Sequence, residues 1–321
     1  MPKMTRHRIG IIGAGAIGQL LFQQFQQLLT NTPPLANGLW VQLISREPES
    51  VQQSLCFTDI NQHEQQTVVD VLGQHSPEIA KLDVIIVCVK AYQVDDLINE
   101  LLPNLAPNCH IILLHNGMGP HINLAQRLLG YPQMGLSLAT TSQGALRSAK
   151  WHIAHTGIGQ TIIGHYSGIT LKQPIKNILL KAIPNASWHD QILSALWQKL
   201  VINCAINPLT AFYQCRNGQL ANDEYKAEIK QIIAECITVA AADNVELEML
   251  ACHELVYKVI ALTSNNLSSM YQDIYHQRQT EIDYISGYIV ARGTHHQIAV
   301  KANNINLQRI KRLEAQQKSP S

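Results

Sequence analysis

Short apolar runs bounded by polar turns alternate with helix-period stretches over the first 187 residues, and from His189 onward the apolar spacing is helical throughout. Residues 8–12, 39–44, 82–89 and 110–114 read as strands. The last two are nearly unbroken apolar runs, the pattern of parallel strands buried on both faces. Leu20, Leu21, Phe22, Phe25, Leu28 and Leu29 mark one helix, and residues 94–102, closed by Pro103, mark another. Segments 134–145, 151–155 and 160–163 are strand-like but rich in Thr, Gly and Ser, which predicts an added antiparallel section. Beyond the change of texture, helices are predicted at 190–207, 220–242, 247–262, 266–270 and 279–300. The polar tail from Asn303 onward is expected to fray.

The first strand runs directly into Gly13-x-Gly15-x-x-Gly18, and a helix follows. In such a strand–turn–helix the first glycine makes the tight turn and the second lets backbone approach a pyrophosphate. The third lets the helix pack closely on the strand. Free N–H groups and the helix dipole favour the anion. Gly13, Ala14, Gly15, Ala16, Ile17 and Gly18 are therefore candidate cofactor ligands. The expected fold class is α/β: an N-terminal Rossmann-like dinucleotide-binding domain, residues 1–187, followed by an all-α C-terminal domain, residues 188–321. Many nicotinamide-dependent reductases share this layout, with the active site in the cleft between the two parts.

The second strand ends at Ser45-Arg46, where an acidic residue would hold the ribose 2′-OH of NAD. An arginine there favours the 2′-phosphate of NADP through charge-assisted hydrogen bonds. Glu47 follows directly, and a surface arginine without a cofactor role is the other reading. Lys90 follows the strand at 82–89, and Asn116 follows that at 110–114. Ligands of open α/β sheets lie beyond the carboxyl ends of the strands, so both fall at the cofactor edge. Asn116 before Gly117 also reads as a plain turn residue.

In WQKLVINCAINPLTA (197–211), Lys199, Asn203 and Asn207 are spaced to project from one helix face, while the residues between them are apolar. A lysine carried into such a helix snorkels to solvent, meets a carboxylate, or works with a lowered pKa in a cleft. Glu281 and Asp283 read either as an acidic first helical turn or as carboxylates placed to hold that ammonium or a substrate hydroxyl.

Composition narrows the picture further. A hydrophobic fraction of 46% over 321 residues supports two packed domains. A net charge of +1 gives no reason to expect nucleic-acid or membrane partners, and no apolar stretch reaches the roughly 18 residues of a membrane span. MPKMTRHRIG leads straight into the first strand, so no signal peptide is expected. Seven cysteines without CxxC spacing suit a reducing cytoplasm. Fourteen histidines form no metal-binding pattern, so no metal is expected.

Several motifs together resemble the ketopantoate reductase (2-dehydropantoate 2-reductase) family. They are GxGAIG at 13–18, VKAYQ at 89–93, HNGMG at 115–119, WxKLxxNCAINPLTA at 197–211, SSMxQD at 268–273 and RxTEIDYISG at 278–287. The resemblance covers residues 8 to 300 with the motifs in order, and the KLxxNxxxNPL and TEID pieces within 197–211 and 278–287 are much more specific than the glycines. It implies NADPH-dependent reduction of ketopantoate to (R)-pantoate in pantothenate biosynthesis, by a monomer or homodimer. It further implies Lys199 as general acid, Glu281 as the residue orienting substrate beside it, and Asn203, Asn207 and Ser269 as substrate ligands. Asn116 would lie between nicotinamide and substrate, with Lys90 and Arg46 holding the cofactor. The connection at 30–38 is longer than the family suggests. A reductase of another 2-keto acid, or a non-catalytic NADPH-binding regulator, are the competing readings. The regulator would be expected to lose Lys199 or Glu281, and both are present.

Overall fold

The computed structural model describes residues 7–36, 38–47 and 49–317, so the amino-terminal decapeptide, the 30–38 connection and the far end of the tail lie partly outside the described residues. The chain forms two compact units: residues 7–115 with 120–192, and residues 116–119 with 193–317.

The first unit is built on one sheet. Its elements are β1 (His7–Ile12), α1 (Ala16–Asn31), α2 (Pro33–Ala36), β2 (Leu39–Ser45), β3 (Val51–Thr58), β4 (Glu64–Gly73), β5 (Val84–Val87) and α3 (Val94–Leu101). β6 (His110–Leu114), α4 (Pro120–Leu128), β7 (Gly135–Thr141), β8 (Gly144–Ala149), β9 (His152–Gly157), β10 (Thr161–Gly168), α5 (Gln173–Ala182) and β11 (Ala186–Trp188) follow. The strand order is β11-β10-β7-β6-β5-β1-β2-β4-β3-β9-β8. β5 and β6 are buried at every position, which is why both read as continuous apolar runs. They lie in the parallel block β7-β6-β5-β1-β2-β4.

The expected antiparallel section is present: β10 runs against β7, and β8 against β9. A further antiparallel pair, β3 with β4, escaped the sequence reading. Its strands are exposed over part of their length and carry Gln52, Gln53, Gln65 and Gln66, so no clear alternation marks them. β9 pairs in parallel with β3, extending the sheet by the β8–β9 hairpin.

The second unit holds α6 (Ile192–Tyr213), α7 (Asp223–Ala242), α8 (Met249–Leu262), α9 (Ser269–Tyr275), α10 (Ser286–His295) and α11 (Lys301–Gln317). α6 is apolar almost all round, with Trp197, Leu200, Val201, Cys204, Ala205, Ile206 and Leu209 buried.

Two expectations are corrected here. The helix expected over 279–300 is broken: a 3₁₀ turn at Ile282–Tyr284 is followed by Ile285 in a non-helical conformation (φ −106°, ψ −97°). The carbonyl of Tyr284 accepts the N–H of Met118 at 2.8 Å instead of continuing a helical ladder. The tail does not fray over most of its length, because its polar residues find partners. The Glu235 carboxylate accepts the N–H groups of Ala302 and Asn303 at 2.8 and 2.9 Å, capping α11. Asn303 and Asn306 are fully buried beside Ile310, and Arg309 pairs with Glu228 at 2.5 Å. A polar sequence registers as tail-like only while those partners are unknown.

Candidate active site

In the first unit the glycine turn is shaped by backbone. Gly13 adopts φ +103°, and its N–H donates to the carbonyl of Ile44 at 3.2 Å, joining the turn to the end of β2. A Cβ on Gly18 would lie 2.0 Å from the Gly13 carbonyl oxygen, so only glycine allows α1 to sit this close. At Gly15 a Cβ would meet nothing within 4 Å, and that open approach is what a pyrophosphate requires. The first turn of α1 carries no acidic residue, so its N–H groups present an unopposed positive end. These residues fit a dinucleotide.

Three residues that sequence reasoning missed complete this region. Gln19 is fully buried, and its amide donates to the carbonyls of Ala14 at 2.7 Å and Lys150 at 2.9 Å. Arg147 of β8 donates to the same Ala14 carbonyl at 3.2 Å. Lys150, in the turn between β8 and β9, pairs with Glu47 at 3.3 Å. Partners more than 100 residues apart leave no local signal. Arg46 is exposed just past β2. Half-buried Lys90 follows β5 and leads a 3₁₀ turn at Ala91–Gln93, its carbonyl accepting the N–H of Gln93 at 2.8 Å.

In the second unit, Lys199, Asn203 and Asn207 lie on α6 at successive turns. Lys199 is half-buried, enters no ion pair among the described residues, and has its pKa lowered by burial. Asn203 and Asn207 are 6% and 8% exposed. The Nδ2 group of Asn203 has no hydrogen-bond partner among the described residues. A buried amide N–H left unsatisfied costs about 1–3 kcal/mol, a cost that a bound hydrogen-bond acceptor would offset.

The turn 116–119 joins this unit. Gly117 has φ +76°, and a Cβ there would lie 2.4 Å from the carbonyl oxygen of Tyr284. That close approach brings Asn116 to Glu281, with Nδ2 to Oε2 at 3.5 Å. Glu281 is only 4% exposed and stands just before the 3₁₀ turn, so it is not the solvated residue of an ordinary acidic first turn. Asp283 is the solvated one, paired with Lys311. Thr280 beside it is held from both its N–H and its hydroxyl by Glu314, at 2.8 and 2.7 Å.

Ser269 is exposed at the start of α9, whereas its neighbour Ser268 is buried. Ser268 caps α9 by accepting the N–H of Tyr271 at 3.0 Å, and it lies 2.8 Å from the Thr210 hydroxyl of α6. A serine before a helix is a capping signal, but two adjacent serines left the register open.

Comparison with known proteins adds the family. Residues 9–168 match the model described as "Ketopantoate reductase PanE/ApbA", and residues 191–314 match its C-terminal counterpart. A 2-dehydropantoate 2-reductase from Vibrio cholerae is 35% identical over 307 residues, covering 95% of this chain and 97% of that protein. The fold matches a PanE/ApbA family ketopantoate reductase from Ralstonia eutropha, with TM-score 0.81 and 24% identity over 97% of this chain and all of that one. It also matches D-mandelate dehydrogenase with NADH and anilino(oxo)acetate, with TM-score 0.80 and 21% identity over 97% and 100% of the two chains.

Proposed function

We propose, on the premise that this chain belongs to the ketopantoate reductase family, that it reduces 2-dehydropantoate to (R)-pantoate with NADPH in pantothenate biosynthesis. Membership makes it an oxidoreductase that binds a nicotinamide dinucleotide. Residues 1–187 would serve the cofactor and 188–321 the substrate and the chemistry. The observation that carries this reading is the desolvated lysine on the same helix face as two buried asparagines.

The turn from Gly13 to Gly18, with Ala14, Ala16 and Ile17, holds the pyrophosphate through backbone N–H groups. Lys90 and Arg46 hold the rest of the nucleotide, and Arg46 contacts the 2′-phosphate. The bound reduced nicotinamide supplies a hydride to the ketone carbon. Lys199 meets the negative charge that develops on the ketone oxygen and gives that oxygen its proton from Nζ. A lowered pKa suits that role, because proton transfer is most efficient when the acid's pKa lies near the working pH. Asn203, Asn207 and Ser269 bind the carboxylate and hydroxyl of the substrate. Glu281, steadied by Asn116, orients the substrate beside the lysine.

The test follows NADPH absorbance with purified protein and ketopantoate. Rapid oxidation of NADPH, with little of NADH, supports substrate and cofactor together. Turnover only with a different 2-keto acid removes the pathway assignment and keeps the chemistry. Tight NADPH binding without turnover of any keto acid removes both.

A further inference from the structure

We propose that Lys150 sets the cofactor preference: by pairing with Glu47 it neutralises the carboxylate beside Arg46 and makes the end of β2 a site for the 2′-phosphate. This rests on the NADPH reading above. Opposite charges stand side by side after β2, in Arg46 and Glu47, and both are exposed. An acidic side chain at such a strand end accepts a ribose 2′-OH and repels a 2′-phosphate. Left alone, Glu47 would oppose the guanidinium next to it. The Lys150 ammonium lies 3.3 Å from its Oε1.

An exposed pair of this kind adds little to stability. Its surroundings nevertheless hold the lysine's backbone firmly. The carbonyl of Lys150 accepts the amide of fully buried Gln19 at 2.9 Å. The next carbonyl, of Trp151, accepts the N–H of Cys56 on β3 at 2.8 Å. Three residues earlier, Arg147 rests on the Ala14 carbonyl of the glycine turn. The hairpin is thus anchored to the start of α1 and to β3, and from that fixed point it extends two cations toward the nucleotide-binding rim. With Arg46 they outnumber Glu47 by two positive charges, matching a dianionic phosphate.

The test needs no turnover. Adenosine 2′,5′-bisphosphate and AMP are titrated by calorimetry into the wild type, Lys150→Met, Glu47→Gln and the double variant. Lys150→Met is expected to weaken the bisphosphate about five- to tenfold, the scale of one charge acting on a phosphate across solvent, with AMP changed less than about twofold. In the Glu47→Gln background the same substitution should cost the bisphosphate only about twofold, because the charge to be masked is gone. Equal weakening of both ligands, no weakening of either, or an undiminished loss in the Glu47→Gln background overturns the proposal. Arg46→Ala separates the underlying reading. If it leaves the ratio of the two affinities unchanged, the end of β2 does not read the 2′-phosphate and both ideas fall. If it collapses that ratio while Lys150→Met does not, only the role of Lys150 is lost.

Discussion

In the first unit the polar groups offered to a ligand are mainly backbone N–H groups held open by glycines, whereas in the second they are side chains along the face of one long helix. The two arrangements distribute cost differently. Gly13 and Gly18 are locked by close packing against Cys88 and against each other, so the turn is shaped before any ligand arrives. Lys199 and Asn203 instead carry unmet electrostatic demand: a desolvated ammonium, and a buried amide without a partner among the described residues. Preorganised backbone serves to bind a constant feature such as pyrophosphate. Unsatisfied side chains serve where charge must change during a reaction.

Removing the proposed general acid should break this contrast most visibly. Lys199→Ala is expected to lower kcat by about 10²-fold or more, the range of a lost general acid, while calorimetry finds the NADPH Kd unchanged. The acid must be protonated to act. The wild-type kcat should therefore fall as pH rises through a pKa below the usual 10.5 of lysine, because burial favours the neutral amine. The variant should lack that alkaline limb, and a limb that persists would assign it to another group.

Gly18→Ala should do the reverse. Its methyl would sit 2.0 Å from a backbone oxygen, so the turn must open at a cost of about 1–3 kcal/mol. Thermal denaturation and NADPH titration should show both stability and cofactor affinity reduced.

Two asparagines of the second unit sharpen the point. Asn303 donates to the Glu235 carboxylate at 2.9 Å, and replacing it with Leu should cost about 1–3 kcal/mol in urea unfolding. Asn203→Leu removes a group that has no partner among the described residues, so stability should stay within about 1 kcal/mol. The KM for the keto acid should rise instead. A large loss of stability at Asn203 would make it a structural residue. The smallest effect expected is at Arg46: Arg46→Ala should raise the KM for NADPH severalfold and leave that for NADH unchanged, since only one of them carries the 2′-phosphate.

Legibility in the sequence followed the range of the forces involved. The glycine turn, the buried strands β5 and β6 and the polar face of α6 were readable because each arises from neighbours within one or two turns of chain. The β3–β4 pair was not, because its glutamine-rich strands lack clear apolar alternation. α11 was not, because the burial of its Asn303 depends on Glu235 of α7. Within the candidate site, the spacing of Lys199, Asn203 and Asn207 could be seen in advance, but the burial of Ser268 rather than Ser269 could not.

By itself the sequence determined the two-part α/β and all-α architecture, the glycine turn and the family, since periodicity and glycine placement are local and act without distant partners. Tertiary structure alone decided which polar groups are satisfied and which are left unmet. Asn116 meets Glu281 because Gly117 packs against Tyr284, and Lys150 meets Glu47 because Gln19 secures its hairpin. Burial and pairing depend on which distant segments share space, and that is known only once the chain has folded.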